Sequence, residues 1–233
     1  MSDFQPLIES NRRLTETVEN KVSEIDQSLA NAEQKIDDEL NKIQTKLPRI
    51  IITRNQFLDL DADTGLPIGM SINGNVTVTE HITITQHNVK SAEQLALLEE
   101  METDMGCNLR KTSYYRRPFK VLKMSWTNSA GWLAFPQAAD DAGATSIPVN
   151  SFITLGAFVK VLSGSVSGAW SSGNKLGQWV FCNSKWNPAG FGAYSNLHPI
   201  PSSESGELLV ALPAAITGHV DTPEQWFPNI SLG

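Results

Sequence analysis

TETVENKVSEIDQSLANAEQKIDDELNKIQTKLP, residues 15–48, sets the reading of everything that follows it. Glu, Lys, Asp, Asn and Gln crowd residues 7–47, with no Gly and no Pro among them, while Pro6 and Pro48 bracket the segment as helix punctuation should. A heptad from Leu7 fails at Lys21, and one from Val22 leaves Leu40 and Leu47 stranded. A period of eleven holds: Leu7, Val18, Leu29 and Leu40 form one row, and Leu14, Ile25, Ile36 and Leu47 a second. Eleven residues make three turns, so the rows predict one long helix with a narrow apolar stripe and a straight or slightly right-handed supercoil. At 1.5 Å per residue it should extend roughly 60 Å. The chain offers no second helix of matching length, so the stripe predicts self-association rather than packing on its own domain. The mix of Leu, Val and Ile does not choose between dimer and trimer.

Composition narrows the classes of function. The 233 residues carry a net charge of −7 and a pI near 5.1, which argues against nucleic acid and anionic membranes as partners. No apolar run reaches the roughly 18 residues of a membrane span, so no membrane insertion is expected. MSDFQPLIESNRR has no basic segment followed by an apolar one, which predicts a chain made in a cytoplasm without a secretory signal. Cys107 and Cys182 lie far apart and form no CxxC pair; free thiols are expected.

After Pro48 the pattern changes to a strand-rich neck over residues 49–118. Asn73-Gly74-Asn75 signals a turn, and Val76, Val78, Glu80, Ile82 and Ile84 then alternate with Thr77, Thr79, His81, Thr83 and Thr85. Period two with β-branched residues predicts a strand with one apolar face, spent on assembly, and with His81 and His87 on the Thr side. Asp59, Asp61 and Asp63 begin like a calcium loop. The required Gly and Glu are replaced by Thr64 and Met70, so an acidic turn is the better reading. Residues 91–106 predict a short helix: Ser91 and Gln94 form a capping box, Gly106 closes it, and Leu95, Leu98, Met101 and Met105 make its stripe. In RKTSYYRRP, residues 110–118, basic residues surround Tyr114 and Tyr115, and pairing with acidic neighbours is the simpler reading.

Residues 119–233 read as a C-terminal all-β domain, a sandwich or prism-like tip. Short apolar runs alternate with turn-rich pieces, and all six Trp lie here. Trp132 and Trp179 sit in apolar runs and are expected in the core. Trp170 and Trp186 sit among Gly, Ser, Asn and Pro and are expected at the surface. With Asn183, Asn187 and Tyr194 they are the candidate receptor-binding residues, on loops 163–177 and 183–196. Aromatic faces meet the apolar side of a sugar ring while Asn and Ser bond its hydroxyls. HExxH, GxSxG, the phosphate-binding GxxxxGK and the Rossmann fingerprint are all missing. GSVSG, residues 164–168, misses the nucleophile-elbow spacing, and His198 and His219 have no evident Ser or Cys partner. No enzyme activity, cofactor or metal is expected. A glycosidase pair drawn from Asp140, Asp141, Glu204, Glu207, Asp221 and Glu224 stays open.

The expected fold class is therefore α+β: an N-terminal parallel coiled coil (1–48), a β-rich neck with a short helix (49–118), and a β-rich tip (119–233). That order resembles bacteriophage tail fibres and related virion fibres. The resemblance is architectural, covers the whole chain and rests on no diagnostic motif. It implies a parallel homotrimer in the virion, attached to other tail or baseplate proteins, whose tip binds a host-surface glycan or protein. One departure is the lack of a globular anchoring domain before the helix. Two other readings remain: a purely structural virion connector or neck fibre, and a fibre that also cleaves glycan.

Overall fold

The structure is a computed structural model that describes residues 4–46, 49–85, 90–112, 117–128, 130–139, 146–226 and 230–231. In chain order its elements are α1 (Gln5–Lys46), β1 (Ile50–Ile51), β2 (Met70–Ile72), β3 (Val76–Ile84), α2 (Ala92–Met105), β4 (Phe119–Trp126), β5 (Ala134–Pro136), β6 (Ser146–Pro148), β7 (Ile153–Ser163), β8 (Val166–Ser167), β9 (Trp179–Trp186), β10 (Tyr194–Asn196), β11 (Ile200–Pro201), β12 (Gly206–Thr217) and β13 (Ile230–Ser231). The chain divides into two compact units, residues 1–47 and 48–233.

The first unit is α1. Its surface carries local ion pairs at helical spacing, such as Arg12 with Glu9 (3.1 Å) and Lys42 with Glu39 (2.7 Å). Each contributes a few tenths of a kcal/mol at most. Every described side chain of α1 is exposed, although helices draw most of their stability from packing an apolar face. Leu47 lies outside the described residues.

The second unit is organised by β12. On one edge it pairs with β7 along almost its whole length. On the other edge it pairs with β4 through residues 206–211 and with β1 at Ile216. The change of neighbour coincides with a bulge between Ala211 and Ala214, where Leu212 takes a φ of 54°. The extra residue keeps Leu209, Ala211, Ala214 and Ile216 on one face of the sheet although their numbering changes parity. The Leu212 carbonyl accepts a 2.8 Å bond from the buried Trp226 indole N–H.

β9 extends the sheet beyond β7, and β3 extends it beyond β4. Both faces are covered. One buries Phe119, Val121, Phe158, Trp179 and Phe181 with Leu97, Leu98 and Met101 of α2. The other buries Leu122, Met124, Trp126, Val159 and Val161 with Leu58, Leu133 and Trp170. A third cluster joins Ile153 and Leu155 to Phe135, Ile147 and Leu197. Two-stranded ribbons β2–β5, β6–β10 and β8–β11 complete the unit.

This arrangement corrects the expected fold class. One long helix is present as expected, but no parallel coiled coil is seen: among the described residues nothing packs along it. The neck and the tip are not separate bodies either. β3 pairs with β4 from Val76↔Trp126 to Ile84↔Phe119, straight across the expected boundary at residues 118–119. β3 also lacks a single apolar face. A register shift between Glu80 and Ile82 inserts His81 as an extra residue. Val76 and Val78 then pack with one cluster and Ile82 and Ile84 with the opposite one. These side chains serve the chain's own core, not an assembly interface. His81 is exposed, and His87, Tyr114 and Tyr115 lie outside the described residues.

Local chemistry follows the sequence more closely. Ser91 and Gln94 form both bonds of the capping box, and Gly106 ends α2 in the left-handed region at φ 62°. Gln94 also donates to the Thr83 carbonyl (2.6 Å), tying the helix start to β3. Of the aspartates, Asp59 pairs with Arg117, and the Asp61 carboxylate caps a turn by accepting the Thr64 N–H at 2.8 Å. Both cysteines are free; burial pushes the Cys107 thiol up to about 11 and the Cys182 thiol to about 12, which disfavours the thiolate form of both at neutral pH.

Past α2 the chain is held by Glu102. Its carboxylate accepts the backbone N–H groups of Leu109 and Arg110 (both 2.9 Å) and the Arg110 guanidinium at 2.6 Å. Burial opposes this charge, but the Arg110 bonds outweigh it and hold the carboxyl below its ordinary value of 4.5. A depressed carboxyl stabilises the fold fully above its ordinary value, and the contribution is lost as the pH falls through the folded-state value. Glu102→Gln should cost about 1.5–3 kcal/mol at pH 7, the worth of bonds to a charged group. In denaturant melts that deficit should shrink progressively below pH 4.5.

Candidate functional site

The exposed large aromatics of the sheet unit gather on segments that meet at one end of the β7–β9 pair, where Ile153 opposes Trp186. Trp186 closes β9 and is 40 % exposed. Phe152, just before β7, meets the His219 ring edge-on with centroids 5.1 Å apart. The same imidazole lies 3.3 Å from the Trp186 carbonyl through Nε2. Thr154 anchors the floor: its hydroxyl donates to the Gly218 carbonyl (2.7 Å) and accepts the Val220 N–H (3.0 Å). Lys185 and Asp221 pair beside it.

From Trp186 the chain leaves the sheet and runs beside residues 146–149. The Ala189 N–H donates to the Val149 carbonyl, the Val149 N–H donates to the Ala193 carbonyl (both 2.9 Å), and Tyr194 opposes Pro148. Between these ties Gly190 and Gly192 take φ of 90° and 81°. Only glycine adopts such values without strain, and the turn they form leaves Phe191 wholly in solvent. Tyr194 and Asn187 are exposed as well. Phe152, Trp186, Asn187, Phe191 and Tyr194 are thus exposed on joined segments, residue types suited to an amphipathic ligand such as a sugar.

The expected site residues separate. Trp186, Asn187 and Tyr194 fall on this end. Asn183 does not: it is half-buried within β9, paired opposite Gly156. Trp170 is corrected outright. Its ring is 1 % exposed, and its N–H donates to the Ala134 carbonyl at 3.1 Å. Loop 163–177 is pinned rather than adaptable, since the Asn174 amide donates to the carbonyls of Val166 (2.7 Å) and Ser171 (2.8 Å). Trp132 is half-buried instead of core, beside Phe135 and His198. Trp179 is fully buried as expected. Phe152 and Phe191 were missed by the sequence reading; the run Gly190-Phe191-Gly192, an aromatic sprung between two glycines, was the available signal.

The carboxylates considered for glycan cleavage have other commitments or none. Glu207 pairs with Lys123 at 2.8 Å, which together with Ser125 holds it below its ordinary range. Asp221 is tied to Lys185. Glu204 and Glu224 are exposed, and Asp140 and Asp141 lie outside the described residues. Among the described residues no group of three or more His, Cys, Asp or Glu is placed to hold a metal ion. Comparison with family models and with curated protein sequences returns no match.

The two tryptophans test the assignment against each other. Trp186→Ala should cost about 1–2 kcal/mol, because only part of its ring is buried. Trp170→Ala should cost about 3–5 kcal/mol by leaving a buried cavity. Urea melts of both variants measure the contrast.

Proposed function

We propose that the chain is a subunit of a virion fibre of the bacteriophage tail-fibre class. Three copies assemble through α1, and the aromatic end of the sheet contacts a host-surface glycan or protein. The observation that carries this reading is the bare stripe of α1. Leu7, Leu14, Val18, Ile25, Leu29, Ile36 and Leu40 are each more than half exposed. Burying such a side chain stabilises by about 1.5–3 kcal/mol, so a stripe of seven favours association strongly. Its eleven-residue repeat means that a copy of the same helix matches it at every level. Self-association is therefore the simplest cover.

The remaining parts of the reading follow from chemistry. The net charge of −7 disfavours a nucleic-acid partner. No helix among the described residues is long and apolar enough to cross a membrane. The subunit would reside in the virion, against other tail or baseplate proteins, and binding of this kind needs no cofactor and no catalytic residue.

Adsorption tests the proposal. Purified labelled protein should bind saturably to intact host cells and block infection. Trp186→Ala and Tyr194→Ala should each weaken binding by about 2 kcal/mol if they are central contacts. Protein that is incorporated into particles but never adsorbs to cells would replace this reading with that of a structural connector.

A further inference from the structure

The chain from β10 to β11 is a strap held at both ends. Tyr194, Ser195 and Asn196 oppose Pro148, Ile147 and Ser146 of β6. Ile200 and Pro201 oppose Ser167 and Val166 of β8. Between these ribbons Leu197 is buried with Phe135, Ile147, Ile153 and Leu155, and the Pro199 carbonyl accepts the Leu133 N–H at 3.0 Å. His198 sits at the middle of the strap. Its ring lies against Trp132 and Phe135, with centroids 6.0 and 5.7 Å away and planes tilted by 56° and 55°.

The two ring nitrogens differ. Nδ1 is buried without a hydrogen-bond partner, whereas Nε2 is not among the buried unpartnered atoms. The neutral ring therefore carries its proton on Nε2 and leaves only a lone pair in the dry pocket. Protonation would place an N–H there with no acceptor to meet it, and a charge with it. The segments that supply the contacts named above lie within residues 130–139, 146–159, 161–174 and 186–203, which contain no Asp, Glu, Lys or Arg. Tyr194, the other titratable group of the strap, is exposed, and Asp140 and Asp141 lie outside the described residues. The faces of Trp132 and Phe135 attract a cation, but that attraction is smaller than the cost of burying a charged donor without an acceptor. Burial accordingly holds the imidazole below its ordinary value of 6.5, with no charged neighbour contributing.

We propose that His198 is an acid-operated latch on the strap 194–201. Neutral, the ring seats against Trp132 and Phe135 and keeps the strap closed. Protonated, it leaves these rings for solvent and loosens the tie between Leu133 and Pro199, and with it the β6–β10 ribbon that presents Tyr194. A histidine with a depressed closed-state value protonates first in the open state. Closure is therefore complete above 6.5 and weakens as the pH falls from 6.5 to the closed-state value. This window lies above that of Glu102, whose contribution fades below 4.5. The latch stands without the fibre reading; only its consequence for a ligand at Tyr194 rests on it.

NMR of the full chain tests the latch. The His198 imidazole, assigned by its loss in His198→Gln, should titrate with a midpoint below 6.5. Between pH 7 and 5 the exchange protection of the Leu133 amide, corrected for the intrinsic pH dependence of exchange, should fall. A midpoint one unit below 6.5 corresponds to a loss of about tenfold. His198→Gln takes up no proton and should show constant protection over the same range. If that variant does not fold, His198→Phe, which keeps a ring against Trp132, supplies the same comparison. A midpoint at or above 6.5 would overturn the proposal, since the aromatic faces would then hold the cation in place. So would protection that stays constant through the His198 midpoint, or a non-titrating variant that loses protection as the native chain does.

Discussion

The pairing of β12 on both edges is the constraint on which the sheet unit depends. One strand must satisfy β7 along one side and two different neighbours along the other. The bulge at Leu212 makes that possible by resetting the alternation where the neighbour changes. The left-handed backbone there is unfavourable by roughly 1–2 kcal/mol for an L-residue. It is held by burial of the Leu212 side chain and by the Trp226 indole bond to its carbonyl. Because both sheet faces are then covered, α2, the ribbons and the loops are all placed relative to this one strand.

The surfaces that remain open follow from this. The aromatic end lies where β7 and β9 run out and where Gly190 and Gly192 turn the chain away from the sheet. It is not a strand interior; it sits on connecting segments held by a few specific backbone bonds, the usual position for binding groups on a rigid scaffold.

Much of this was legible in the sequence, and the misses have physical causes. The long helix was readable because an eleven-residue period over four repeats has few alternative explanations. The ends of α2 were readable because Ser91, Gln94 and Gly106 act through bonds to their own backbone. The division into neck and tip was not, because strand partners are set by contacts distant in sequence: Val76 and Trp126 are neighbours in space, not in order. The two faces of β3 were hidden because alternation alone does not reveal a bulge, and one extra residue at His81 reverses everything after it. Trp170 was misplaced because its Gly and Ser neighbours resemble an open loop, whereas they let the chain turn tightly enough to bury the ring. Trp186 was placed correctly by the same reasoning, since the segment after it does leave the sheet.

We propose α1 as a surface for copies of the same chain. It is an otherwise well-formed helix with a continuous apolar stripe and no buried side chain among those described. Sedimentation equilibrium of the full-length protein tests this most directly. Assembly of three copies predicts a single species at three times the 25.5 kDa chain mass at micromolar concentration. A species at the mass of one chain, unchanged on concentration, would contradict it.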